Sequence, residues 1–110
     1  MIARSWSAQA TAEGARAYVA FFEGTLVAEL ERIDGHRGAL VLTREIDGGA
    51  RIEISVVTFW ESMEAVARFA GAALDRAVVE DEARAMLVSF EECVSHRHVA
   101  VDTVRRAREG

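Results

Sequence analysis

The chain has 110 residues, 51% hydrophobic and 28% charged, with 18 acidic against 13 basic side chains, every basic one an arginine, and a net charge of −5. That size suits one domain with one modest core, and the composition is globular rather than disordered. An acidic chain whose arginines interleave with Glu and Asp lacks the basic face that neutralises phosphates, so nucleic acid is excluded as an expected partner.

The one basic cluster, Arg105, Arg106 and Arg108, falls in residues 103–110, which read as a solvated, flexible tail of a single domain spanning 1–110. A single cysteine, Cys93, permits no internal disulfide and fits a reducing compartment. The stretch Met1-Ile2-Ala3-Arg4-Ser5-Trp6-Ser7 has no long apolar run, and nothing approaches the ~18 to 20 apolar residues of a membrane span. A cytoplasmic protein with no membrane partner is the expectation.

Residues 2–9 are short and mixed in polarity ahead of a helix signal, and read as a first strand. Thr11 can cap the next helix, with Glu13 in its first turn. Ala15, Val19, Phe22, Leu26, Leu30 and Ile33 recur at spacings of three and four, which predicts an apolar stripe ending at Asp34-Gly35. Two strands over 38–46 and 51–60 flank Asp47-Gly48-Gly49, residues that tolerate positive φ, and so form a hairpin. Ser62 caps a short helix that buries Met63, Val66, Ala67 and Ala70 and closes at Gly71. Residues 72–81 read as irregular. Asp81 can cap one more helix, with Ala83, Met86, Leu87 and Phe90 on one face, and 94–101 read as the last strand.

The order β-α-β-β-α-β, with an extra short helix before the last strand, defines an α+β, ferredoxin-like fold, an antiparallel sheet with helices on one face. In the third strand Ile52, Ile54, Val56, Thr58 and Trp60 share the face expected to meet the helices. Val57 and Phe59 point the other way, with Val41 or Leu42 of the neighbouring strand beside them. A sheet that is apolar on both faces has both covered, and the simplest cover is a second copy related by a two-fold axis. A homodimer is expected.

Several segments resemble the antibiotic biosynthesis monooxygenase family: Ile2-Ala3-Arg4-Ser5-Trp6, Gly35-His36-Arg37-Gly38-Ala39, Trp60-Glu61-Ser62-Met63-Glu64-Ala65-Val66, Phe69-Ala70-Gly71, Ala77-Val78-Val79, and Phe90-Glu91-Glu92 through His96. Together they cover nearly the whole chain. The resemblance implies a dimeric α/β barrel, and in its enzymes an oxygenase that acts on phenols or quinols without metal or flavin. There a base removes the phenolic proton and the anion reacts with oxygen. The haem-degrading relatives carry Asn, Trp and His where this chain has Ser5, Phe69 and about Val79, so haem degradation is not expected. The polyketide-tailoring relatives use an Asn at the place of Val56, and the chain has no Asn at all.

His96 and His98, two apart on the last strand, point to one face. His96 is the candidate catalytic base, set against a histidine satisfied in packing. Trp60, Phe22 and Met86 are the expected walls of a pocket between sheet and helices, with Tyr18 and His98 as further substrate contacts. Trp60 and Tyr18 can equally be core residues. Arg4, Arg44 and Arg51 can hold an anionic substrate or pair across strands with Glu45 or Glu53. Cys93 has no neighbour that would activate it, and no third ligand joins the histidines in a metal site. The expectation is a monooxygenase without cofactor or metal acting on an aromatic phenol or quinol. The alternative is a non-catalytic dimeric module that binds a small hydrophobic molecule.

Overall fold

The computed structural model describes residues 1–104. Strand β1 (Ile2–Ala10) leads to α1 (Ala12–Phe21), a π-helical turn over Phe22–Leu26, and α2 (Val27–Glu31), which run on as one rod. Strands β2 (His36–Ile46) and β3 (Arg51–Trp60) form the hairpin, and α3 (Met63–Ala70) comes next. An irregular stretch leads to the four-residue α4 (Asp81–Arg84) and two short strands, β4 (Ser89–Phe90) and β5 (Ser95–His98). The sheet is antiparallel in the order β2-β3-β1-β4, with β5 also paired to β1. This is the ferredoxin-like α+β architecture.

Two of the three expected caps sit where the sequence puts them, while Asp81 lies inside its helix with Glu80 at the N-cap. Thr11 Oγ1 accepts from Gly14 N at 3.0 Å and Ser62 Oγ from Ala65 N at 3.2 Å, satisfying donors that the first helical turn leaves free. Asp47, Gly48 and Gly49 all take positive φ in the hairpin turn. Gly35 turns the chain out of α2 at φ +92°, where a Cβ would stand 2.5 Å from that of Ala65.

The long helix differs from expectation in one respect. A stripe spaced by fours drifts around an α-helix of 3.6 residues per turn. The wide π turn absorbs the extra residue, so Ala15, Tyr18, Phe22, Leu26 and Leu30 all stay buried. Tyr18 takes the place expected for Val19, which is 36% exposed.

The chain beyond Glu80 also departs from expectation. The helix from Asp81 stops at Arg84, and Phe90 belongs to β4 rather than to a helical face. No side chain caps this helix, and Val88 N donates to Gln9 O at 2.8 Å, drawing the chain onto the edge of β1. The last strand is broken. Ala8 faces Phe90 but Ser5 faces Ser95, so four residues, 91–94, stand opposite only Trp6 and Ser7. Trp6 Nε1 donates to Glu91 O at 2.8 Å across this break, and Arg76 bridges to Cys93. Most of the tail expected over 103–110 lies outside the described residues, as do Arg105, Arg106 and Arg108.

The core lies between the sheet and the helices, with Ile54, Trp60, Ala65 and Val66 fully buried. The hairpin register sets Ala39 against Thr58 and Val41 against Val56 on this side. Leu40 and Leu42 accompany Val57 and Phe59 on the other.

Candidate functional site

A cavity of about 300 Å³ opens between the sheet and the long helix. Strand alternation sends Arg4 and Trp6 of β1 and Val56 and Thr58 of β3 into it. The helix stripe supplies Tyr18, Phe22, Leu26 and Leu30, and residues 77–80 close the remaining side. Trp6, Tyr18 and Phe22 form an aromatic run, with ring centroids 6.1 Å and 6.2 Å apart.

The wall carries few polar groups. Arg4 is 4% exposed although it is charged. Its guanidinium donates to Leu74 O at 2.6 Å and Arg76 O at 2.8 Å and lies 5.7 Å from the centroid of the Phe69 ring. Nη1 also lies 2.9 Å from His96 Nε2. Arginine has no lone pair to offer, so His96 Nε2 is the acceptor and the ring proton sits on Nδ1. Nδ1 faces Asp75 Oδ1 at 3.5 Å. Burial and the Arg4 charge hold this imidazole below the ordinary histidine range, with Asp75 pulling the other way. Burial likewise lowers Arg4, opposed by Asp75.

A second polar group stands on the helix side. Tyr18 is 4% exposed, and its hydroxyl bonds to no described residue. Burial, then the charge of Glu80, pushes its phenol well above the usual range. Glu80 is half-buried on the cavity wall, and burial and the nearby Glu29 raise its carboxyl. No arginine or histidine pairs with Glu80 among the described residues.

Of the residues singled out from sequence, Tyr18 and Phe22 line the cavity. Trp60 does not. It is fully buried between the edge-on His36 ring, 5.1 Å away, and the stacked Phe69, 5.5 Å away, with Nε1 donating to Thr58 Oγ1 at 2.8 Å. It backs Phe69, which does reach the cavity. Met86 packs against the core outside the lining. His96 reaches the cavity only through Arg4, and His98 is exposed on β5 opposite Ile2. Arg44 pairs with Glu53 at 2.8 Å on the solvent side. Trp6, Phe69 and Glu80 escaped the sequence reading as cavity residues. Trp6 was legible in principle, since it shares parity with the inward row Ile2, Ala8 and Ala10. Among the described residues no three of His, Cys, Asp and Glu gather as metal ligands.

No family profile matches the chain, and no curated protein is significantly similar to it. Solved structures are similar over nearly its full length. A protein of Bacillus cereus named as an antibiotic biosynthesis monooxygenase shares 17% identity over 92% of this chain and 94% of its own, with a TM-score of 0.62. The haem degrader MhuD of Mycobacterium tuberculosis, described with two haems in its active site, shares 20% over 93% and 98%, at 0.55. A dimeric ferredoxin-like protein from an uncultured marine organism shares 14% over 96% and 100%, at 0.53. At such identities the likeness speaks for the fold. Function has to be argued from the site.

Proposed function

We propose that this chain is a cofactor-independent monooxygenase acting on a small aromatic phenol or quinol. The observation that carries the reading is a buried arginine on the wall of an otherwise aromatic and aliphatic cavity. A volume near 300 Å³ is at the small end of ligand sites, suited to one or two rings. The Arg4 guanidinium offers positive charge where an oxygen of the substrate gathers negative charge, and such fixed charge is worth most in a dry site. Two carbonyls and the neutral His96 hold it in place. A phenol bound there ionises more easily, and its anion is the form that gives electrons to dioxygen.

Haem fits these residues poorly. Ser5 faces away from the cavity, Phe69 and Val79 offer no ligand to iron, and the Nε2 lone pair of His96 is taken by Arg4. Names among the structural neighbours support oxygenase chemistry in this fold without fixing a substrate.

The active unit in this reading is a homodimer paired through the open face of the sheet. Leu40, Leu42, Val57 and Phe59 make that face apolar, with Leu42 52% exposed. Light scattering at micromolar concentration is expected to give twice the chain mass, and a stable monomer would remove the idea.

The test of function is oxygen uptake with a panel of hydroquinones and phenols, without added metal or flavin. Wild type is expected to consume oxygen and Arg4→Met to lose most of the rate. One observation favours a second reading, a binding module without catalysis: the imidazole nearest the cavity has its lone pair engaged. Saturable phenol binding with no uptake across the panel would favour that module.

A further inference from the structure

Proton removal needs a base that can reach the substrate, and the three described histidines all stand back from the cavity. His96 lies behind Arg4, His98 is exposed, and His36 packs against Trp60. The titratable groups on the wall are Arg4, Tyr18, Glu29 and Glu80. Arginine stays protonated, and Glu29 is exposed on α2.

We infer that Glu80, with the Tyr18 hydroxyl lining the same cavity, takes the proton from a hydroxyl at one end of an aromatic substrate whose other end carries an oxygen held by Arg4. This rests on the phenol-oxidising function proposed above. Two independent features converge on it. The Tyr18 side chain is buried and lines the cavity, and its hydroxyl bonds to no described residue, which leaves it free to meet a ligand in the cavity. Glu80 is a carboxylate on the same wall with no arginine or histidine partner among the described residues; its charge acts on Tyr18 of α1, and that of Glu29 on α2 acts on it. Its raised affinity for a proton suits a base.

The two polar ends are distinct. Asp75 is the charge that acts on Arg4, and Glu80 the one that acts on Tyr18. Arg4 stands about 7 Å along β1 from Trp6, and Tyr18 packs on that Trp6 ring. A substrate lying along Trp6 therefore spans from one end to the other. In the step itself the substrate O–H bond breaks, the proton moves to a Glu80 carboxylate oxygen, and the electron pair stays on the substrate. In a para-hydroxyaryl ketone, conjugation draws that charge across the ring to the carbonyl oxygen at Arg4. In a hydroquinone the charge stays on the deprotonated oxygen and the ring carbons, and the second hydroxyl oxygen accepts a hydrogen bond from Arg4. Dioxygen is the oxidant that then takes electrons from this anion. The substrate class is a phenol with a second oxygen at the far side of the ring, a hydroquinone or a para-hydroxyaryl ketone.

The probe is 4-nitrophenol, whose anion absorbs visibly and whose nitro oxygens can meet Arg4. Below its solution pKa, wild type is expected to bind it as the coloured anion, and calorimetry in two buffers of different ionisation enthalpy is expected to find no proton released. Glu80→Gln is expected to bind within a few-fold of wild type but to lose the anion band at least tenfold. Tyr18→Phe, which keeps the ring, weakens binding by roughly fivefold to tenfold. With an oxidised quinol, Glu80→Gln lowers kcat by about 10² to 10⁴-fold and leaves KM within a few-fold. An anion band unchanged in Glu80→Gln, neutral binding by wild type, or oxygen uptake indifferent to Glu80→Gln would overturn the inference, the last leaving the oxygenase reading standing. Anion binding that needs Glu80, with no oxygen uptake from any quinol, supports Glu80 as acceptor and removes the oxygenase. A wild type that binds no phenol overturns both.

Discussion

Strand β1 is paired on both sides, and its two neighbours are built differently. Along β3 the ladder runs unbroken from Ile2 opposite Trp60 to Ala10 opposite Ile52. Along the other edge it is made of two pieces, with 91–94 bulging between them. The regular side supplies the packed core, while the broken side brings Arg76, Val94 and His96 to the cavity region and anchors the 71–80 stretch through Ala77 N to Glu92 O and Val94 N to Asp75 O, each 2.8 Å. Polar backbone outside a ladder must find other partners, and in the irregular 71–80 stretch that this edge anchors, Leu74 O and Arg76 O are met by Arg4. The interruption is thus what makes a buried guanidinium tolerable and available.

The largest effect is expected on the regular side. Ile54→Ala removes a fully buried side chain and is expected to lower the unfolding free energy by about 2 to 5 kcal/mol, read by urea denaturation. Phenol affinity of the folded fraction should stay as it was, because Ile54 does not line the cavity. If binding fell with stability, the division between a structural edge and a functional edge would collapse.

Next in size is Arg4→Met, which fills similar volume but leaves Leu74 O and Arg76 O without donors. A loss of about 2 to 3 kcal/mol is expected, together with loss of anionic phenol binding. A variant that keeps its affinity for the phenolate would deny Arg4 its role while leaving the packing argument intact.

The same contrast decides what could be read in the sequence. The hairpin, the capped helices and the inward row Ile52 to Trp60 obey local rules, a period of two or of 3.6 with turn residues between, and those elements stand as expected. The broken edge obeys no period. Val94 to Val101 is apolar enough to suggest one strand, yet nothing local tells that four residues will stand opposite two. The short α4 failed for a related reason, since Gln9, some eighty positions away, captures Val88. At the site, Phe22 was legible from the helix stripe and Tyr18 only as its neighbour, brought inward in place of Val19. Glu80 was not, because its position comes from a loop whose path is fixed by Arg4 and by the bulge. Trp60 drew attention as a large aromatic at a strand end, but its parity with Ile54 already placed it in the core.

The smallest effect, and the one that separates the two edges most finely, is in the pH dependence of stability. Burial, then Arg4, depresses the folded His96, with Asp75 opposing. A depressed value means that the contribution is fully present above the unfolded histidine value, about 6.5. As pH falls below that point the unfolded chain takes up the proton first, and stability declines until the folded ring titrates as well. Protonation of the folded ring would also set a second cation against Arg4 and end the 2.9 Å hydrogen bond. His36, lowered chiefly by burial, adds a decline of the same sign. Glu80 acts oppositely: raised above the ordinary carboxyl value, it favours the folded state as pH falls through its own range toward about 4.5. Urea midpoints taken from pH 8 to pH 5 should therefore fall, and His96→Gln, whose amide oxygen can still accept from Arg4 but cannot titrate, should flatten that fall while the His36 part persists. A His96→Gln variant that tracks wild type at every pH would mean that the Arg4–His96 contact is not maintained in solution, and the broken edge would lose the clamp that sets it apart from the regular one.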